Sequence, residues 1–296
     1  RVELDDLLSM AKQLGLDNKT GIEIQIPNEF SGGVPSPETK ISSIKFFLRD
    51  YLNQNIDQFY AIGKNYNSDE KEQMINTIVS WVKGDNPMTR GEVYTNLTEM
   101  GLRPDKVDSK GISLVDMIKY SFLNQAVWND GDNVNISIGQ GSNAYTPLQM
   151  ANYIATIANG GYLRNVSVIK EGKTYDNQSV VYEPLRTSER IQIKDYSYLD
   201  ELTEGMVMVS ADSKLYNDFP VRVASKTGTA QREGTNPETG EPYDDFAWYI
   251  AYAPADDPQI AIATVIFQGG SGRFPAPLVR DIIGDYLGLE PEKVEE

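Results

Sequence analysis

The chain has 296 residues, with 43 Asp and Glu against 27 Lys and Arg for a net charge of −16, and it contains neither histidine nor cysteine. Without imidazole or thiol, Ser-His-Asp and Cys-His catalysis, Cys/His zinc sites, His-ligated haem and disulfides are excluded, so any chemistry rests on carboxylates, Lys, Tyr, Ser, Thr, amides or backbone groups. The acidic balance argues against a nucleic-acid partner, and the apolar runs, such as 260–267, are strand-sized and too short to cross a bilayer as helices.

The opening Arg1-Val2-Glu3-Leu4 has no signal-peptide character and reads as the interior of a domain. Leu4, Leu7, Leu8, Ala11 and Leu14 recur at helical spacing before Gly15, which predicts a helix over 3–14. The alternation from Thr20 to Pro27 predicts a strand, and Gly32-Gly33-Val34-Pro35-Ser36-Pro37 an irregular connector. A helical block follows over 41–128, with helices predicted at 46–62, 69–82, 90–100 and 114–123; its aromatics Phe46, Phe47, Phe59, Tyr60 and Trp81 are expected to form a local core. Further helices are predicted at 147–159 and 198–210. The chain then turns to strands at 221–225, 246–252 and 260–267, the last two joined as an antiparallel hairpin, and a helix at 277–287 that can cover the sheet. The fold class expected is α+β.

The most informative segment is Val223-Ala224-Ser225-Lys226-Thr227-Gly228-Thr229-Ala230-Gln231. A lysine, two threonine hydroxyls and a glycine on one strand suit acyl transfer. The lysine supplies positive charge, the hydroxyls can bind a carboxylate, and the glycine lets a substrate backbone lie close to the strand. The triplet alone is weak, and its context is what gives it meaning.

That context is ordered. Upstream stand Leu14-Gly15-Leu16, Thr20-Gly21-Ile22, Ser31-Gly32-Gly33-Val34-Pro35, Ser137-Ile138-Gly139-Gln140-Gly141, Thr146-Pro147-Leu148-Gln149 and Ile157-Ala158-Asn159-Gly160-Gly161. Downstream lies Ala247-Trp248-Tyr249-Ile250-Ala251-Tyr252-Ala253-Pro254. In this order the set resembles the transpeptidase domain of class B penicillin-binding proteins, over about residues 3–40 and 128–290. The resemblance implies the serine-transferase fold, an antiparallel sheet flanked by helices, and divides the chain into transpeptidase segments at 1–40 and 129–290, a helical insertion at 41–128 and a tail at 291–296. For the insertion two readings stay open, a peripheral elaboration or a docking surface for a cell-wall partner.

The resemblance also implies a peptidoglycan D,D-transpeptidase that works through a serine acyl-enzyme, needs no cofactor or metal, and acts at the outer face of the bacterial cytoplasmic membrane. Implied partners are peptidoglycan stem peptides, β-lactams and a SEDS-family glycosyltransferase. Lys226 would hold the site's positive potential and help proton transfer. Thr227 and Thr229 would bind the donor's terminal carboxylate, Gly228 would give room, and the Thr229 N–H would form half of an oxyanion hole. The family's Ser-x-x-Lys nucleophile and Ser-x-Asn motifs are expected upstream of Arg1, with that N-terminal part and its membrane anchor as a further partner. Ser9-Met10-Ala11-Lys12 and Ser42-Ser43-Ile44-Lys45 spell the first motif outside its context. Trp248, Tyr249 and Tyr252 are expected to pack, Phe246 stands where many relatives carry an imidazole, and Glu238, Glu241, Asp244 and Asp245 read as a solvated acidic loop. A D,D-carboxypeptidase or β-lactamase-type hydrolase and a non-catalytic penicillin sensor or scaffold remain alternatives.

Overall fold

A computed structural model describes residues 3–27, 29–184, 188–231, 234–236 and 239–289. It divides into two compact units, 1–33 with 144–296, and 34–143. The tail expected at 291–296 lies outside the described residues.

Helix α1 (Leu4–Gln13) starts with a Glu3/Asp6 capping box, carries Asp5 and Asp6 in its first turn and Lys12 in its last, all suited to the helix dipole, and stops before Gly15 at φ +78°. The strand expected at 20–27 does not form. This stretch offers the outgoing chain one backbone bond, Val166 N–H to Thr20 C=O at 3.3 Å, while its Glu23 carboxylate takes the Ser167 hydroxyl and the Ile169 N–H. Alternation alone builds no strand without a partner ladder, and Ile24 and Ile26 remain exposed.

The second unit is helical. α2 (Pro37–Asn55) is set by a Ser36 cap, Pro37 in the first turn and Thr39 closing the capping box, and a 3₁₀ turn (Ile56–Phe59) continues it. α3 (Ser68–Ser80) begins on an Asn67/Glu70 box and α4 (Arg90–Glu99) on a Thr89/Glu92 box. α5 (Leu114–Asp116) widens into a π-helical stretch, Met117–Leu123, and α6 (Asp130–Ser137) follows. Leu48, Leu52 and Ile56, spaced four apart, meet Phe59, Ile75, Ile78, Val93, Leu97, Leu114, Ile118 and Leu123 in one core whose members are essentially fully buried. Each such side chain stabilises the unit by about 1.5–3 kcal/mol. Tyr60 and Trp81 pack against this core, but Phe46 and Phe47 do not. They stand edge to face on the outer side of α2, 67% and 58% exposed. Lys40 ties the start of α2 to the end of the unit, with its amine on Asp132 at 2.6 Å and on the Val127 carbonyl at 3.0 Å. The compact helical unit is therefore wider at both ends than the 41–128 read from sequence.

The first unit resumes with α7 (Pro147–Ala158), then four short strands that periodicity did not mark. β1 (Tyr162–Arg164) pairs antiparallel with β4 (Ser188–Arg190), and between them in the chain β2 (Gly172–Lys173) pairs with β3 (Val180–Tyr182). After α8 (Ser197–Ala211) comes an antiparallel sheet in the order β5 (Ala224–Ala230), β6 (Phe246–Ala253), β7 (Ile260–Ile266), and then α9 (Ala276–Leu287). β6 is apolar throughout because both faces are covered. Ile250 and Tyr252 pack with α7 and α8, and Tyr249, Ala251 and Ala253 pack with Val279 and Ile283 of α9. The architecture is α+β. Among the described residues no helix is long and apolar enough to cross a membrane.

Candidate functional site

Several of the motifs that carry the resemblance meet in one structural joint. The Thr146/Gln149 capping box opens α7, and the nearly fully buried Gln149 sends its Nε2 to the Asn18 carbonyl at 2.9 Å. Gly32, at φ +85°, lies so close that a Cβ there would stand 2.4 Å from the Leu16 carbonyl oxygen and 2.6 Å from Gln149 Nε2. Gly33 and Ala144 then exchange two backbone hydrogen bonds, 2.8 and 3.1 Å, which close the first segment of this unit onto the second. These residues hold the unit together. Gly139 and Gly141 belong to the helical unit, where positive φ lets the chain turn after α6.

Lys226, Thr227, Gly228 and Thr229 occupy the middle of β5, opposite Ile250, Tyr249, Trp248 and Ala247 of β6. The strand begins at Ala224, not at 221, and runs through the motif: the stretch before it is engaged elsewhere, with the Arg222 carbonyl on the Ala255 N–H and its guanidinium on Glu204 and Asp256. Among the described residues β5 pairs with β6 alone, so it is an edge strand of this sheet, the kind of place where an extended chain can add. Alternation places Lys226 and Gly228 on the face of Ala224 and Ile250, and Thr227 and Thr229 on the other. Lys226 and Thr229 are exposed, and the Lys226 amine donates to the Thr227 carbonyl at 2.6 Å.

Three contacts around this strand were not readable from sequence. Ser225, fully buried, shares a 2.6 Å hydrogen bond with Ser210 of α8, which fixes the strand one residue before Lys226. Gly272 donates its N–H to Thr229 Oγ1 at 3.1 Å, and a Cβ on it would fall 2.4 Å from the Gly228 carbonyl oxygen. Arg273, next in the chain, stands 3.7 Å from Asp212. The one sequence signal for the last two was the run Gly269-Gly270-Ser271-Gly272 directly after β7.

Tyr249 and Tyr252 pack as expected, buried on opposite faces of β6, and Trp248 is half-buried. Tyr249 donates to the Tyr216 hydroxyl at 3.3 Å, and burial, reinforced by that bond, raises the Tyr216 phenol well above its ordinary range. Burial likewise raises Tyr252. Phe246 meets Phe267 edge to face at 5.4 Å. In the acidic loop, Asn236 bonds the Glu241 carbonyl and Tyr243 the Gly234 carbonyl, a turn that leaves Glu241 and Asp244 exposed; Glu238 lies outside the described residues. Of the two Ser-x-x-Lys spellings, Ser9 lies on α1 and Ser42 is exposed on α2 in the helical unit.

A family model described as "Penicillin binding protein transpeptidase domain" matches residues 113–284, a span that includes Lys226–Thr229 and starts within the helical unit. The peptidoglycan D,D-transpeptidase PbpA of Mycobacterium tuberculosis is 36% identical over 167 residues, covering 52% of this chain and 32% of its own length. The peptidoglycan D,D-transpeptidase MrdA of Haemophilus influenzae is 29% identical over 184 residues, covering 57% and 28%. The chain thus spans about a third of the length of these relatives. A crystal structure of penicillin-binding protein 3 from Mycobacterium tuberculosis superposes with a TM-score of 0.55 at 19% identity over 97% of this chain and 47% of its own, a likeness of fold.

Proposed function

This chain belongs to the penicillin-binding protein transpeptidase domain family, and from that membership we propose that its protein is a class B peptidoglycan D,D-transpeptidase. The observation that carries the proposal is the placement of Lys226-Thr227-Gly228-Thr229 at the middle of an edge strand, inside the family match.

The donor stem peptide lies against the open side of β5 as an added strand. A serine hydroxyl attacks the penultimate D-alanine carbonyl. As the C–O bond forms and the C–N bond breaks, the serine proton passes to the departing D-alanine amine, with a lysine as relay. The resulting acyl-serine is then attacked by an amine of a neighbouring strand, which restores the serine and completes the cross-link. Lys226 supplies positive potential beside the reacting atoms. The Thr227 and Thr229 hydroxyls donate to the terminal carboxylate, and the Thr229 N–H stabilises the oxyanion. The attacking serine is assigned to a Ser-x-x-Lys segment outside these 296 residues. Stem peptides and β-lactams are the ligands, a SEDS-family glycosyltransferase is a partner, and the outer face of the cytoplasmic membrane is the place of action.

The full-length protein is expected to form a one-to-one covalent adduct with a fluorescent penicillin that is released slowly. A folded protein that forms no adduct would remove the enzyme reading, and rapid turnover would replace the transpeptidase by a hydrolase.

A further inference from the structure

We propose that Arg273 is a specificity-determining residue: its guanidinium holds the donor's terminal carboxylate together with the Thr227 and Thr229 hydroxyls, and Asp212 is its partner when no ligand is bound. The proposal rests on the acyl-transfer reading of β5.

The path of the chain after β7 brings Arg273 there. Gly269 passes over β6 so closely that a Cβ on it would lie 2.6 Å from Ala247 Cβ. Three residues later Gly272 lies on β5. A Cβ on it would stand 2.4 Å from the Gly228 oxygen and 2.8 Å from both its carbon and its nitrogen, and its N–H reaches Thr229 Oγ1 at 3.1 Å. The segment therefore crosses from the central strand to the edge strand, and it turns back there, with the Phe274 N–H on the Ser271 carbonyl at 2.9 Å. Arg273 is at that turn, its Cα about 3.8 Å from that of Gly272, so its side chain starts beside Thr229.

The charge pattern fits a ligand carboxylate. Threonine hydroxyls give hydrogen bonds without charge, whereas a guanidinium binds a carboxylate through two parallel N–H donors. Among the described residues the ion pair that Arg273 makes is with Asp212, at 3.7 Å, with the two side chains 78% and 79% exposed. That separation is longer than a charge-assisted hydrogen bond, and an exposed pair of this kind contributes little and exchanges readily. Asp212 also caps the C-terminus of α8, where the helix dipole disfavours an acid. It can keep a cation in place and give it up to a better-placed anion. The same helix end grips β5 through Ser210 and Ser225, and the Gly272 N–H seats the other segment on Thr229, so Asp212 and Arg273 are each carried on a segment anchored to this strand.

The test uses the full-length protein and a fluorescent penicillin in two forms, the free carboxylate and its methyl ester. Arg273→Ala is expected to slow acylation by the free acid about tenfold and leave the ester rate unchanged, collapsing the preference for the acid. Arg273→Lys should restore part of that preference, and Asp212→Asn should raise the acid rate. An unchanged acid-to-ester ratio in Arg273→Ala would overturn the proposal, as would an equal loss with both probes, which marks a merely structural role. If the wild-type protein reacts with neither probe, it is the acyl-transfer reading that fails.

Discussion

Gly272 has no room for a side chain, and the reason is backbone. An added Cβ meets the oxygen, carbon and nitrogen of Gly228, which cannot rotate away as a flexible side chain could. Gly272→Ala must therefore push the loop off the strand or move Gly228 itself. It is expected to lower the thermal midpoint and slow penicillin acylation together, whereas Gly270→Ala, with open space around it but a left-handed φ of +71°, should cost about 1–2 kcal/mol of stability from backbone strain and leave acylation by the folded protein near the wild-type rate. Calorimetry and labelling of the two variants check this, and a Gly272→Ala protein with wild-type midpoint and rate would show that the contact is not tight. At this scale the Lys226–Thr229 string was legible because its order among other strings carried it. Its supports were not. Ser210 lies fifteen residues from Ser225 and Gly272 forty-three from Thr229, and nothing in local spacing announces a contact made across a sheet.

Most helix boundaries were legible, because caps are written locally: Asn67, Thr89 and Thr146 each stand three residues before the side chain that returns their hydrogen bond. The exception is α2, which the Ser36 cap starts at Pro37, nine residues before the start at 46 that periodicity indicates. Elements that depend on partners were less legible. The alternating 20–27 stretch lacks a ladder, and β5 lies three residues further on than the apolar residues around Val221 indicate, since pairing with β6 fixes its register. Phe46 and Phe47 read as core by type, yet α2 turns them outward while Leu48 and Leu52 take the buried face. Charge at an element's start gives a prediction here. Asp116, beside the Ser113 cap of α5, is held below the ordinary carboxylate range first by its hydrogen bond from Arg90, at 2.7 Å, and then by that from Ser113. A depressed carboxylate stabilises the fold above its unfolded pKa of about 4, and that stability is lost as pH falls through the folded value. Asp116→Asn should therefore lower the unfolding midpoint at neutral pH, with the gap to wild type closing on acidification. A gap that stays constant with pH would assign the effect to shape instead of charge.

The molecule as a whole combines a sheet unit, which carries Lys226–Thr229, with a helical unit that has a core of its own. The sheet unit was legible through motif order and the helical unit through periodicity. Where the chain passes between them was less so, because α6 is short and polar and shows no apolar repeat. The absence of histidine and cysteine, which first excluded whole classes of catalysis, is consistent with serine and lysine chemistry, which needs neither. The central claim is that Lys226 on β5 serves that chemistry. Its most direct test is the acylation rate of the full-length protein by a fluorescent penicillin, compared with that of Lys226→Ala at matched circular dichroism. The account predicts a labelled wild type and a variant slowed by about a hundredfold or more; a folded Lys226→Ala protein labelled at the wild-type rate would contradict it.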